Sequence, residues 1–481
     1  MDRFDVKCRK LSSHKDDMNQ PDLSAMDPAA KDDLIRFLLA ENAELKSRIT
    51  ALEVRLAKDS RNSSKPPSSD GLRKPAPKSL RHVGQHPKGG QKGHKGSALE
   101  RISEPDQVII HPLPATCDAC GNPLSEAHVS EARQVFDSPP QQVQVIEHRV
   151  MEAHCTCGKV HRSGFPEGVT ATTRYGPRVQ AAVVYLTQHH MLPILRTARI
   201  LRDTYGVALS PGAVVRMIRT AADNLAPAVA GIADAVQNAR VAHFDETGMR
   251  VAGKLHWLHT AATPNLTWVG MHTRRGQEAF DAFGILPGFQ GTAIHDGWAP
   301  YRKYDCRHGL CNAHHLRELT LIHEQYGQRW AKNMIDLLLA ANREVTIGPL
   351  TGDRMAQINA DYTAILDQGD AIHPVKKRKD GTAHRRQSYP TNLLRRLREH
   401  TGDVLRFLSD SEVPFTNNIA EQAVRMPKVK QKISGCFRTF DGAAAFCTIR
   451  SYLETLRKQG VDLMHALVQS FQGKTLQPAL E

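Results

Sequence analysis

The spacing of apolar side chains changes character several times along the chain. Residues 1–30 are polar and aperiodic, which reads as a loose tail. From Ile35 a seven-residue repeat sets in, with Ile35, Asn42, Ile49 and Leu56 at a positions and Leu38, Leu45 and Leu52 at d. Opposite charges flank this seam, Glu41 with Lys46 and Arg48 with Glu53. The pattern predicts a short parallel dimeric coiled coil (a leucine zipper) over 31–57, in which one Asn in an apolar seam fixes register and strand number. An amphipathic helix docked on its own domain would carry the same stripe, and that reading stays open.

Over 58–104 the period vanishes into a Gly/Pro/Ser-rich tract. A segment with so little to bury reads as a flexible linker. Strand-like alternation (QQVQVIEHRVMEAH) returns within a small module at 105–165. Residues 176–230 read as helices: Leu192–Tyr205 and Pro211–Asn224 flank a turn where Gly206 can end one helix and Ser210 can cap the next. The pair resembles a helix-turn-helix, whose second helix enters a DNA major groove. After residue 239 come three strand-like runs (VAHFDETGMRV, KLHWLHTAAT, LTWVGMHT), a helical stretch (QEAFDAFGIL) and a fourth strand, GTAIHD, with CRHGLC as a fifth. That is the opening order of a ribonuclease-H-like α/β fold. It predicts a core over 239–450 with a helical insertion at about 317–412, followed by a helical segment at 451–481.

Composition narrows the partners. The 481 residues, enough for two to four domains, carry 64 Lys and Arg against 50 Asp and Glu, a net charge of +14. Such a surplus favours a polyanion. It is concentrated in two places. Residues 58–96 hold ten Lys or Arg, among them Lys74, Lys78, Arg81, Lys88 and Lys92, against two acids. Residues 376–398 hold nine against one, including Lys376, Lys377, Arg378, Lys379, Arg385 and Arg386. Both are expected to track phosphates, although a linker and a solvated face are the plainer readings. No run of residues is apolar for long enough to span a membrane, and MDRFDVKCRK has no apolar signal region, so a cytoplasmic, nucleoid-associated protein without a membrane is expected. Nine cysteines in a chain without an export signal favour metal ligation over disulfides. Cys117-x-x-Cys120 and Cys155-x-Cys157 resemble a zinc ribbon, with one structural Zn²⁺ held by four thiolates. The second pair is one residue short, so His154 or His161 could replace a cysteine, and redox cysteines are the alternative.

The chemistry is carried by carboxylates. Asp245 on the first core strand and Asp296 at the end of the fourth would be neighbours in such a sheet. A helix through FTNNIAEQAVRMPKVKQKISG could lay Glu421 across them. Phosphodiester cleavage needs a water made nucleophilic and a leaving oxygen stabilised, and two Mg²⁺ ions about 4 Å apart, on hard oxygen ligands, do both. Arg425 and Lys428 would clamp a phosphate.

The motifs SRNSSKPPSSDG, GGQKGHKG, CDACG, HFDETG, HDGWAPY, CNAHHLREL, NNIAEQAVR and SGCFRTFDGAAAFCTIRS, in that order, resemble transposases of the insertion-sequence 66 family over nearly the whole chain. The resemblance implies an Asp-Asp-Glu transposase that binds the inverted repeats of its own element and cleaves and joins double-stranded DNA, transposon end to target. It puts the triad on Asp245, Asp296 and Glu421 and matches Glu421 and Lys428 to an E-x6-K spacing. It also implies small companion proteins encoded by the same element, and the heptads predict a homo-oligomer through the coiled coil. Cys311 and His314 match a C-x2-H motif of related superfamilies, with its role open. Two rivals are a ribonuclease-H-like nuclease, which needs no end-pairing machinery, and a zinc-ribbon regulator without catalysis, which needs no core of this size.

Overall fold

The computed structural model describes residues 27–59, 62, 99–124, 126, 128–138, 143–166, 168–375 and 387–480. The tail up to residue 26 lies outside them. So do the basic side chains Lys74, Lys78, Arg81, Lys88, Lys92, Lys376, Lys377, Arg378, Lys379, Arg385 and Arg386.

The heptad segment is one helix, α1 (Pro28–Ala57), started by Asp27, whose side chain accepts the Ala30 amide at 2.7 Å. Its a and d side chains Ile35, Leu38, Leu45, Ile49, Leu52 and Leu56 are all exposed, and so is Asn42. Val54, at an f position opposite that seam, is buried, and Lys58 just beyond the helix lies over the Tyr389 ring at 4.2 Å. The apolar seam is therefore left open.

No described residue from 99 to 176 is buried. Strands β1 (Glu152–His154) and β2 (Val160–Arg162) form an antiparallel hairpin there. The strand expected from residue 141 begins only at Glu152. Alternation alone does not make a strand, and residues 143–150 have no ladder partner among the described residues, 141 and 142 lying outside them.

Helices α2 (Pro177–Val184), α3 (Ile194–Tyr205) and α4 (Pro211–Gln237) follow. The expected turn forms: Gly206 has φ 70°, and Ser210 Oγ accepts the Ala213 amide at 3.1 Å. Contrary to the expected end at Asn224, α4 runs on to Gln237, because Leu225, Ala228, Val229, Ile232 and Val236 continue its apolar stripe into the central core. The second helix of the pair is thus anchored in that core over much of its length.

A mixed sheet of β3 (Val241–Val251), β4 (Lys254–Ala262), β5 (Thr267–His272), β6 (Thr292–His295) and β7 (Arg307–Leu310) has the order β5-β4-β3-β6-β7. The first three strands are antiparallel, whereas β3, β6 and β7 run parallel. Short helices α5 (Gln277–Phe283) and α6 (Ile285–Gly288) lead from β5 to β6. Successive residues of β6 face opposite ways: Ala293 joins the core built with α4, and Ile294 joins a second core. That second core is made with the insertion helices α7 (Asn312–Tyr326), α8 (Arg329–Ile347), α9 (Gly352–Ile372), α10 (Tyr389–Glu399) and α11 (Thr401–Val404). Both faces of the sheet are covered.

Helices α12 (Asn418–Ser434), α13 (Phe440–Lys458) and α14 (Leu463–Phe471) close the chain. The boundary expected at 450/451 falls inside α13. That helix stays continuous because Ile449, Tyr452, Leu453 and Leu456 bury in the sheet core, and because the Ser451 and Thr455 hydroxyls accept the Val269 and Thr267 amides of edge strand β5, each at 2.9 Å.

Candidate active site

Asp245 lies mid-strand on β3. The parallel pairing sets His243 opposite Ile294, and carried two residues further it sets Asp245 opposite Asp296. Asp296 follows the last residue of β6, where Gly297 turns the chain at φ 86°, a conformation that side chains with a Cβ disfavour. The turn is tied down by the Trp298 amide on Asp296 Oδ1 at 2.8 Å and the Gly297 amide on His295 Nδ1 at 3.0 Å. Since His295 Nδ1 accepts, its Nε2 carries the hydrogen and donates to His308 Nδ1 at 3.0 Å. His295 is fully buried, stacked on Tyr301, and burial holds its pKa well below the usual value, so it is a neutral prop for the turn.

Helix α12 reaches the sheet through Asn417. The Asn417 side-chain NH₂ donates to the Phe244 carbonyl at 2.8 Å, its oxygen faces His243 Nδ1 at 2.8 Å, and its backbone amide meets Cys311 Sγ at 3.1 Å. Glu421 sits one turn on, beside Cys311 Sγ and His314 Nδ1, each 4.0 Å from its Oε1. Lys428 Nζ donates to the Gly248 carbonyl of β3 at 2.8 Å, near Asp245. Arg425 is exposed.

Burial, and then the charges of Glu246, Asp296 and Glu421, push the Asp245 carboxyl well above its usual range. Its Oδ1 accepts the Glu246 amide at 2.8 Å. The three acids foreseen from the sequence are therefore close enough to repel one another, but their oxygens do not form a group within 4.8 Å. Among the described residues the metal-capable group that tight is Cys311, His314 and Glu421. Glu246 is a fourth acid that the sequence reading passed over. Burial raises its pKa, opposed by the hydrogen bond that Tyr301 OH donates to it. Arg275 binds its other oxygen at 2.7 Å and stacks over Trp298 at 4.0 Å. Glu246 thus ties β3 to the loop that carries Asp296. Its signal was its place in HFDETG, directly beside the chosen Asp.

In the hairpin module, each cysteine pair closes its own turn. Gly121 and Gly158 donate to the carbonyls of Cys117 and Cys155 at 2.9 Å, with φ of 73° and 84°. Amide N–H groups point at the sulfurs of Cys117 and Cys155 and lower their pKa, which suits thiolate ligands. The pairs remain apart, since no three of the sulfurs of Cys117, Cys120, Cys155 and Cys157 lie within 4.8 Å of one another.

A mixed sheet that gathers acids where β3 and β6 lie side by side, preceded by a paired-cysteine module, is compatible with a nucleic-acid-processing protein. The Transposase IS66 family matches residues 172–445, more than half of the chain, and the zinc-finger binding domain of transposase IS66 matches residues 114–158, which contain all four cysteines. The chain belongs to the IS66 family of transposases. A family of unknown function matches residues 18–100, and none of the curated proteins matches the chain. A transposase with a zinc-finger domain binds DNA and takes Zn²⁺. Among the described residues no helix is long and apolar enough to cross a membrane.

Proposed function

We propose that this transposase has a ribonuclease-H-like core and works by the Asp-Asp-Glu route, cutting and joining strands at the inverted repeats of its own element. The strand order β5-β4-β3-β6-β7 supports the fold reading, since it puts the two Asp-bearing strands side by side. Asp245, Asp296 and Glu421 are the proposed catalytic acids. The observation that carries the proposal is Asp245 itself, on the strand beside Asp296 and buried among like charges, a position that a bound cation would relieve.

The donors are hard oxygens, which suit two Mg²⁺ ions rather than a soft metal. Bound there, Mg²⁺ would supply the charge that makes a water nucleophilic and stabilises the leaving 3′-oxygen. The protein does the rest. Asp245 and Asp296 each spend one oxygen on a backbone amide, which fixes the carboxylate, and keep the other for the ion. Glu421 completes the set from α12. Lys428, held on the Gly248 carbonyl, is a cation beside Asp245 that can meet a phosphate oxygen, and Arg425 can do so from the exposed side of the helix.

Around this core, Cys117, Cys120, Cys155 and Cys157 are the proposed zinc ligands, with His154 or His161 as substitutes, and they would close on the ion as one cluster. The open seam of α1 supports pairing with a second copy as a coiled coil. The basic segments at 58–96 and 376–398 are the proposed phosphate contacts, and companion proteins of the same element and a place on the nucleoid belong to the same reading.

Asp296→Asn tests the chemistry, since it removes one charge with almost no change of shape. Fold and DNA binding are expected to survive, because binding rests on basic segments. Cleavage and strand transfer on a pre-nicked transposon end in Mg²⁺ are expected to fall by a factor of about 10³ or more. Normal joining by that protein would place the acids outside the active site, whereas neither cutting nor joining by the native protein would favour the non-catalytic regulator. Cutting without any strand transfer by the native protein would favour the nuclease.

A further inference from the structure

Cys311, His314 and Glu421 do something that a carboxylate triad does not require. Cys311 directly follows β7 and stands as N-cap of α7, and His314 follows at the third helical position, so both side chains leave the same end of the helix. The His314 amide donates to the Cys311 carbonyl at 3.1 Å, which fixes that spacing. Glu421 arrives from α12, which Asn417 ties to Cys311 itself. The sulfur, a ring nitrogen and a carboxylate oxygen all lie within 4.8 Å of one another, with both contacts to Glu421 Oε1 at 4.0 Å. His314 Nδ1 is buried and has no hydrogen-bond partner.

Those separations are close to what a small tetrahedral ion imposes. Bonds of about 2.3 Å to sulfur and about 2.0 Å to nitrogen and oxygen set the ligand atoms roughly 3.3–3.6 Å apart. The two contacts to Glu421 Oε1 need to contract by about 0.5–0.7 Å, which side-chain rotation supplies. One thiol, one imidazole and one carboxylate make a borderline-soft donor set. It is poor for Mg²⁺ and good for Zn²⁺, and three protein ligands leave one position open.

We propose that Cys311, His314 and Glu421 form a second transition-metal site, distinct from the paired-cysteine module, and that Zn²⁺ held there withdraws Glu421 from Asp245 and Asp296 and so inhibits the Mg²⁺-dependent reaction. The inhibitory part rests on the reading of Glu421 as a catalytic acid, whereas the site itself does not. Free zinc would then hold the transposase in a state that binds DNA and does not cut.

The site is tested on the full-length protein without Mg²⁺, with Zn²⁺ and Co²⁺ as probes. Metal analysis after equilibrium dialysis is expected to find roughly two zinc ions per native chain and roughly one in Cys311→Ser and in His314→Ala. Asp245→Asn is expected to keep both. With Co²⁺, the native-minus-Cys311→Ser difference spectrum is expected to show a thiolate-to-cobalt band of a site with one sulfur. His314→Ala guards against a folding defect in the cysteine variant, since the lost Nδ1 has no partner to leave unpaired. In strand transfer with Mg²⁺, the zinc concentration that halves each protein's own zinc-free rate is expected to rise about tenfold or more in both variants. Unchanged zinc content in both variants would overturn the site. A lost zinc with unchanged inhibition would overturn its link to Glu421. Normal joining by Asp296→Asn would sink the catalytic reading while leaving the zinc counts as they are.

Discussion

At the scale of single residues, the site depends on groups whose charge state is set by burial. Asp245 is kept among other acids although burial and repulsion both favour its protonated form, a conflict that the proposed cation would resolve. Its supports are neutral. Asn417 joins Phe244, His243 and Cys311 across more than a hundred residues of sequence, a role that no local pattern could announce. The acids themselves were legible, because each stands in a distinctive motif. Neutral buried histidines also make the fold acid-sensitive. His259 is buried against Phe280 and Phe283, its Nε2 donates to the Arg274 carbonyl, and burial lowers its pKa from 6.5 to about 4. Between those values the unfolded chain binds a proton that the folded chain refuses. Stability is therefore full above pH 6.5 and is lost as pH falls towards 4, by about 3 kcal/mol for this residue. His259→Phe is expected to lower the melting temperature at neutral pH, since the Arg274 carbonyl loses its donor, and to flatten the acid limb. Parallel melting curves against pH for the two proteins would contradict this.

At the scale of elements, α1 and α12 show how differently one kind of pattern can be used. The heptads of α1 predict its length well, and the structure leaves the a and d side chains exposed while burying Val54 on the opposite face. On the proposed reading this exposed apolar seam docks a like helix. Asn42→Ile is expected to tighten association and admit trimers or higher species in light scattering, because the lone Asn trades stability for a parallel pair. A chain that stays monomeric at all concentrations, with or without the substitution, would rule the zipper out. Helix α12 is less amphipathic in purpose. It carries Glu421 and Lys428 on the side that meets β3, and Pro427 sits buried in its middle. The E-x6-K spacing was visible in the sequence. The contact of Lys428 with Gly248 was not, because it is made across 180 residues.

At the scale of the whole molecule, a core covered on both faces stands beside a module with nothing buried. The sheet, α4, α13 and α14 share one apolar cluster, and the insertion helices hold another. From 99 to 176 no described residue is buried, so that module's order is expected to depend on its metal. Cys117→Ser, or a strong chelator, is expected to unfold it while the core's main melting transition moves by no more than about 1–2 °C. Zinc-free protein with an unchanged amide exchange pattern over 105–162 would show that the module folds without metal.

Periodicity, turn chemistry and motif spacing together determined the strand and helix order, the apolar seam of α1, and the positions of the paired cysteines and the three acids. These are local properties, since each depends on residues a few positions apart. Tertiary structure decided the rest. It carried α4 past its expected end into the core, and it carried α13 through the boundary that the sequence suggested. It tied Glu246 to Arg275 and Tyr301, and it set Glu421 beside Cys311 and His314. Each of those outcomes joins side chains far apart in sequence, where burial and charge act through space and leave no mark on neighbouring residues.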